Sequence, residues 1–427
     1  MTTRPADHLP RPRPAVPTVR LQDPAGVVAA VPYLLGFTPR RSLVVVGVDG
    51  DRGVGPTLRA DLPTSAVLGT GGGGRAGDGD GERAGDDGGV LAAVWQHASQ
   101  VLRRNGCDRA LAVVYADVEP ADLGEDAVRR VLDVLDPPWA DGTAGPDGAW
   151  PDADADADAD VDAPWPDGPL DVLDVLLVGP GRFRSLLCPD PACCPRDGSP
   201  VVATASHAVA ASFVLAGRSP AADRDGVEPE APAPPPADLR AAADAARAAR
   251  ASTPATDPGG GADEDADLLE QWLGSLPHGP GPALAGRLAA RWRTRPLLRD
   301  ACLAAFLPGG PDLARALLGG GGSPPATLAG SLDDPACAGA VREGTPVLRR
   351  LAALVPAEDR AEVLAGHSWL AWVAGEGTAA SVLGGRALSL DPTQPLARLV
   401  LRALDGGLGA PWTVGGRSGG ASWDTGR

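Results

Sequence analysis

The sequence predicts two domains of different class: an α/β domain with a mixed sheet and flanking helices, then an all-α domain, tetratricopeptide-like towards its C-terminal end. Three observations carry this. Short apolar runs alternate with amphipathic helical stretches through residues 21–218, as strands and helices alternate in a layered sheet domain. From residue 267 onward only helical periodicity remains. Between them, residues 219–266 are rich in Pro, Ala and Asp and read as an acidic linker holding one Ala-rich helical piece near 237–251. A length of 427 residues fits two domains with linkers.

Residues 1–20, rich in Pro and Arg, are expected to be a disordered arm. Asp23-Pro24 then starts a helix, because the carboxylate can accept an orphan backbone N–H and proline suits the first helical position. Val27, Val28, Val31, Leu34 and Leu35 make one apolar face; Pro32 should kink the helix and Gly36 end it. Ser42 to Val48 is apolar on both faces, the signature of a strand covered on both sides. After the turn at Asp49-Gly50, Leu58, Ala60 and Leu62 alternate with Thr57, Arg59 and Asp61 in a strand with one polar face, which Pro63 stops. Residues 69–89 and 138–168 are too polar to bury a core and are expected to be disordered insertions. Between them lie a helix over 90–102 closed by Gly106, a buried strand over 110–116 and a helix over 120–136. A strand over 173–178, a turn at Gly179-Pro180-Gly181, a return strand over 182–187 and a helix over 204–216 complete the domain.

The stretch VPYLLGFTPRRSLVVVG followed by LRADLP, with FRSLLCPDPACCPRDGSP at 183–200 and AASFVLAGRSPAADRDGV at 210–227, resembles the actinobacterial family called domain of unknown function 4192. The resemblance covers about half of the chain. It implies an intracellular actinobacterial protein and brings no established activity. The chain departs from that pattern in its long acidic insertions and in Phe183, where tryptophan is expected.

In the second half the periodicity predicts helices over 267–276, 281–293, 296–307, 311–318, 346–354, 357–374, 377–390 and 395–405. HSWLAWVAGEGTAASVLGGRALSLDPTQPLARLVLRAL resembles one tetratricopeptide repeat, with Trp369, Gly375, Ala380, Ala387 and Pro392 in the key places. One repeat cannot stack alone, so it is expected to close a helical bundle over 267–412. Residues 413–427 read as a disordered Gly/Ser tail.

Composition excludes more than it assigns. The chain has no lysine, so a Walker A loop and Schiff-base chemistry are absent in their usual forms. The formal charge of −17 is concentrated in the low-complexity tracts; residues 141–174 alone carry eleven acidic residues and no basic one. No apolar run reaches membrane-spanning length and no signal-peptide pattern opens the chain. A cytoplasmic protein is therefore expected, its six cysteines reduced or metal-bound. Arg287, Arg291, Arg293, Arg295 and Arg299 around Trp292 read as a solvated helix face, since no nucleic-acid-binding fold accompanies them.

Two constellations could carry chemistry. Cys188, Cys193 and Cys194, with His207, offer three thiolates and an imidazole for a structural zinc ion, and Pro189, Pro191 and Pro195 stiffen the turn. Against this, the spacing is not a standard zinc pattern and His207 falls inside a predicted helix; the plainer reading is a tight turn that buries small thiols. Arg59 and Asp61 project from one strand face and, with Arg182, Arg184, Tyr33 and Ser42, could line an anion-binding cleft; ordinary ion pairs on an exposed sheet face are the competing reading. The expectation drawn is a non-catalytic interaction or regulatory protein that binds a protein partner through its helical domain. An enzyme built around Arg59 and Asp61, and a zinc-stabilised structural module, are the alternatives.

Overall fold

The structure is a computed structural model, and it describes residues 21, 23–49, 53–62, 87–135, 170–252, 261–276, 278–320 and 326–412. The expected arm 1–20, the insertion 138–168, the tail 413–427 and all of the insertion 69–89 before residue 87 lie outside the described residues. The chain divides into two compact units. One holds the described residues up to Leu35 and from Pro39 to Pro220; the other holds Gly36–Thr38 and the described residues from Ala221 on. The stretch read as a linker thus lies in the second unit from Ala221.

In the first unit, helix α1 (Pro24–Leu35) starts at Asp23, whose Oδ1 accepts the Gly26 N–H at 2.6 Å. It carries Pro32 inside and stops at Gly36, whose φ of 81° only glycine adopts readily. Strand β1 (Ser42–Asp49) is buried along nearly its whole length and pairs antiparallel with β2 (Gly53–Asp61) on one side and β3 (Arg109–Tyr115) on the other. β2 is the sheet edge, which explains how it tolerates Pro56. Helices α2 (Asp87–Arg104) and α3 (Glu125–Leu135) flank β3 in sequence, and β3 pairs parallel with β4 (Asp171–Val178). β5 (Arg182–Ser185) and the short β6 (Ser199–Pro200) complete a mixed sheet of order β2-β1-β3-β4-β5-β6.

One sheet face, bearing Leu43, Val45, Ala112, Val114, Val175 and Leu177, packs on Leu91, Leu102, Val131 and Leu135 of α2 and α3. The alternate residues Val44, Val46, Val113 and Leu176 are equally buried, so both faces are covered. α1 packs against β4, joined by α4 (Val202–Ala205) and α5 (Ala208–Leu215). The helix expected over 204–216 is therefore broken. Ser206 and His207 leave helical geometry, and the His207 imidazole caps α5, its Nδ1 accepting the Val209 N–H at 3.2 Å. The helix expected over 120–136 begins only at Glu125, after one 3₁₀ turn at Pro120–Asp122.

The second unit is all helical: α6 (Pro236–Ser252), α7 (Ala262–Ser275), α8 (Pro282–Trp292), α9 (Pro296–Ala304), α10 (Gly310–Gly319), α11 (Ala326–Asp333), α12 (Cys337–Leu354), α13 (Ala357–Val373), α14 (Gly377–Leu390) and α15 (Pro395–Asp405). Its core centres on Trp272, Trp292 and Phe306, packed edge-on, with Leu288, Leu298, Leu351 and Val363 around them. The buried Trp272 indole donates to the Cys302 carbonyl at 2.9 Å. α12 starts at Cys337 rather than at Pro346, which sits inside it, and α11 carries too weak an apolar pattern to be read from sequence. No helix among the described residues is long and apolar enough to cross a membrane.

Candidate functional site

Of the residues singled out on the sheet, Ser42 and Asp61 stand opposite each other across the β1–β2 pair, whereas Arg182 and Arg184 lie apart from them. Arg59 and Asp61 lie two apart on the edge strand and make a two-pronged pair, at 2.9 and 2.5 Å, with the Asp61 side chain 72% exposed. Three strands separate β2 from β5, which carries Arg182 and Arg184, so the postulated neighbouring arginines are about 19 Å away at the usual strand spacing. Ser42 is wholly buried at the start of β1, opposite Tyr115, and its Oγ has no hydrogen-bond partner among the described residues. The Tyr33 ring stacks on Phe213, with centroids 5.0 Å apart and planes at 7°. Arg182 and Arg184 therefore share no cleft with Arg59, Asp61 and Ser42.

Arg182 and Arg184 instead brace the cysteine turn. Arg182 donates to the Gly198 carbonyl, and Arg184 to the Arg196 carbonyl at 3.3 Å. On the entering limb, the Ser185 hydroxyl donates to Asp174 at 2.6 Å and accepts the Cys188 N–H at 2.9 Å. At the apex, the Asp190 carbonyl accepts the N–H groups of both Cys193 (3.2 Å) and Cys194 (2.8 Å). The Sγ atoms of Cys188, Cys193 and Cys194 all lie within 4.8 Å of one another, and those of Cys193 and Cys194 are 3.8 Å apart. Burial and the neighbouring thiols push the Cys194 thiol up to about 12. His207, expected as the fourth ligand, stands outside this group. Its Nδ1 is taken by the α5 cap and its Nε2 lies 3.5 Å from Asp23.

The second unit contains a cleft that sequence reasoning missed. Residues 228–235, EPEAPAPP, run without helix or strand beside α12, α13 and α14, and with them line a cavity of about 550 Å³. α12 contributes Arg349, Ala352 and Ala353; α13 contributes Arg360, Leu364 and His367; α14 contributes Leu383, Arg386 and Leu390. The strap is anchored at its start: Glu228 pairs with Arg349 at 2.8 Å, and Arg386 donates to the carbonyls of Glu228 (2.6 Å) and Asp225 (3.0 Å). His367 is 1% exposed and its Nε2 has no partner among the described residues. Burial, helped by the charge of Arg349, pushes its pKa down to about 3 and keeps it neutral. The Arg360 Nε is buried without a hydrogen-bond partner among the described residues. Arg360, Leu364 and His367 recur at helical spacing, but that spacing equally marks a core stripe, and the covering segment lies more than a hundred residues earlier.

The arginine stripe around Trp292 is exposed at Arg293 but is not a solvated face as a whole. Arg291 is buried and bonds Glu264 at 2.5 Å; Arg295 bonds Asp265 at 2.8 Å; Arg299 reaches Glu362 at 3.3 Å. Trp292 is in the core. These cations are consumed inside the unit, as the packing of α7, α8, α9 and α13 requires.

Comparison with known proteins gives a single finding. No curated protein and no solved structure matches the chain. The model of the family described as "Domain of unknown function (DUF4192)" matches residues 24–410, from the first turn of α1 to beyond the end of α15. With both the sheet and the helical bundle inside that match, the chain belongs to the DUF4192 family.

Proposed function

We propose that the protein is a non-catalytic binding protein whose helical unit receives an acidic ligand in the strap-covered cleft, and that it acts by interaction rather than by turnover. The observation that carries this reading is the lining of a cavity of ligand size by Arg349, Arg360, Arg386 and His367, with the Arg360 Nε and the His367 Nε2 buried beside it without hydrogen-bond partners among the described residues. Arg349, Arg360 and Arg386 outnumber the carboxylates of Glu228 and Glu230 there, so an anionic group would be favoured. Apolar side chains from all three helices would hold the rest of the ligand. Binding fits this site better than acid–base chemistry. Arginine does not exchange protons near neutrality, and His367, with its pKa near 3, is a weak base.

The test is thermal denaturation of the full chain against a panel of di- and tricarboxylates, nucleotides and acidic peptides, beside an Arg360→Ala variant. A ligand present at about a hundred times its Kd should stabilise the wild type by about 2.7 kcal/mol. The variant should lose most of that response. No response from any acid, or an equal response in Arg360→Ala, sinks the reading; a response confined to acidic peptides would make the occupant a protein partner.

A further inference from the structure

We propose that Cys188, Cys193 and Cys194 form a three-thiolate site for a thiophilic divalent cation, zinc foremost, whose fourth coordination position is open to a small exogenous donor. Zinc–sulfur bonds of about 2.3 Å at tetrahedral angles place the sulfurs about 3.8 Å apart. Cys193 and Cys194 already stand at 3.8 Å, and Cys188 joins them within 4.8 Å, so closing on an ion requires only a small side-chain rotation.

The turn is built to hold this arrangement. Asp190 gathers the two adjacent cysteine N–H groups on one carbonyl, and the Asp174–Ser185–Cys188 chain fixes the entering limb. Arg182 and Arg184 fix the leaving limb through backbone carbonyls. Such outer hydrogen bonds are what orient ligands in metal sites. Arg184 and Arg196 also bring positive charge to a turn that would carry a net negative charge once three thiolates bind one divalent ion.

Simple burial of small thiols does not account for the cluster. Cys107, Cys302 and Cys337 behave that way, each buried, whereas Cys193 is exposed and Cys188 and Cys194 are half-buried. Among the described residues no further histidine, cysteine or carboxylate joins the group, and Cys193 faces solvent. The fourth position is therefore where water or a small anion would bind, as in open zinc sites.

The experiment uses the full chain purified under reducing conditions with zinc supplied, beside Cys193→Ser, an exposed position where the fold should tolerate the change. Expected are near-stoichiometric zinc and three of the six thiols that react with a disulfide reagent only after chelation. Cobalt exchanged for zinc should give sulfur-to-cobalt charge-transfer absorption that falls by about a third in Cys193→Ser. That variant should also bind the metal at least tenfold more weakly while its far-ultraviolet circular dichroism stays unchanged. The proposal is overturned if the protein retains no metal and the three thiols react equally with and without chelator. It is also overturned if the cobalt spectrum is indifferent to Cys193→Ser, or if a Cys193–Cys194 disulfide persists in reductant and excludes the metal.

Discussion

The two units close their cores in opposite ways. In the α/β unit, Val44, Val45, Val46, Val113 and Val114 fill the sheet faces with branched side chains, and neighbours crowd even the glycines. A Cβ at Gly47 would stand 2.6 Å from Leu102 and 2.7 Å from Cys107. In the helical unit, α6 and α8 meet through Ala246, Ala249, Ala290 and Gly286, and charge is taken inside: Asp265 with Arg291 and Arg295, Asp359 with Arg250, Glu362 with Arg299. Burial raises the Asp265 and Asp359 carboxyls above the usual range although arginines beside them pull the other way. Desolvation therefore outweighs pairing, so these pairs fix geometry more than they add stability. A core filled by volume leaves no room for polar groups. One built from small residues and ion pairs can leave a cleft lined by arginines, with buried nitrogens beside it.

The sharpest way to break this comparison is to remove one buried carboxylate. Asp265→Ala removes the buried carboxylate that pairs with both Arg291 and Arg295, and should cost the helical unit about 3–5 kcal/mol. Urea denaturation followed through Trp272 and Trp292 fluorescence reads it. The matching change in the α/β unit, Asp61→Ala, removes an exposed carboxylate from a guanidinium that also donates to the Arg40 carbonyl, and should cost less than about 1 kcal/mol. If the two substitutions cost the same, the contrast between the units fails.

That contrast also governs what was legible in the sequence. Elements signalled by their own residues were readable: Asp23-Pro24 and Gly36 bound α1, the apolar run at 42–48 is β1, and Gly106 follows α2. Strand order was not, because it depends on which edges pair, and Arg59 was grouped with Arg182 across three intervening strands. His207 was placed inside a helix because the apolar pattern around it continues; the backbone break appears only when its ring caps α5. The thiol cluster was visible as a motif, since its members sit within seven consecutive residues. The cleft was invisible. Its covering strap reads as a proline-rich linker, and partners such as Glu228 and Arg349 are 121 residues apart.

A smaller effect distinguishes the units by pH. His367 has a pKa near 3 in the folded protein and about 6.5 when unfolded, so between these values the unfolded chain binds the extra proton. Its contribution is complete above pH 6.5 and is lost as pH falls towards 3. At pH 5 the loss should be about 2 kcal/mol. Burial and the Arg349 cation disfavour the imidazolium, and Glu228 is already engaged by Arg349. His367→Leu should flatten the decline in stability between pH 6.5 and 5. A slope identical to wild type would mean that the imidazole is hydrated and charged, and that the cleft is wetter than its geometry indicates.

The smallest effect uses glycine to report packing in both units. Gly339 on α12 and Gly385 on α14 are exposed, and a Cβ at either would meet nothing within 4 Å. Alanine there removes backbone freedom from the unfolded chain and suits the helix, so each substitution should stabilise by about 0.5–1 kcal/mol. Gly47→Ala in β1 should have the opposite sign, because Leu102 and Cys107 must move to admit the methyl group. Opposite signs for the same chemical change, read by thermal denaturation, would show that the sign follows the local space, which is as tight at Gly286 on α8, against the Ala242 carbonyl, as at Gly47. Stabilisation at all three positions would mean that the α2–β1 interface yields, and that volume is not what holds the α/β core.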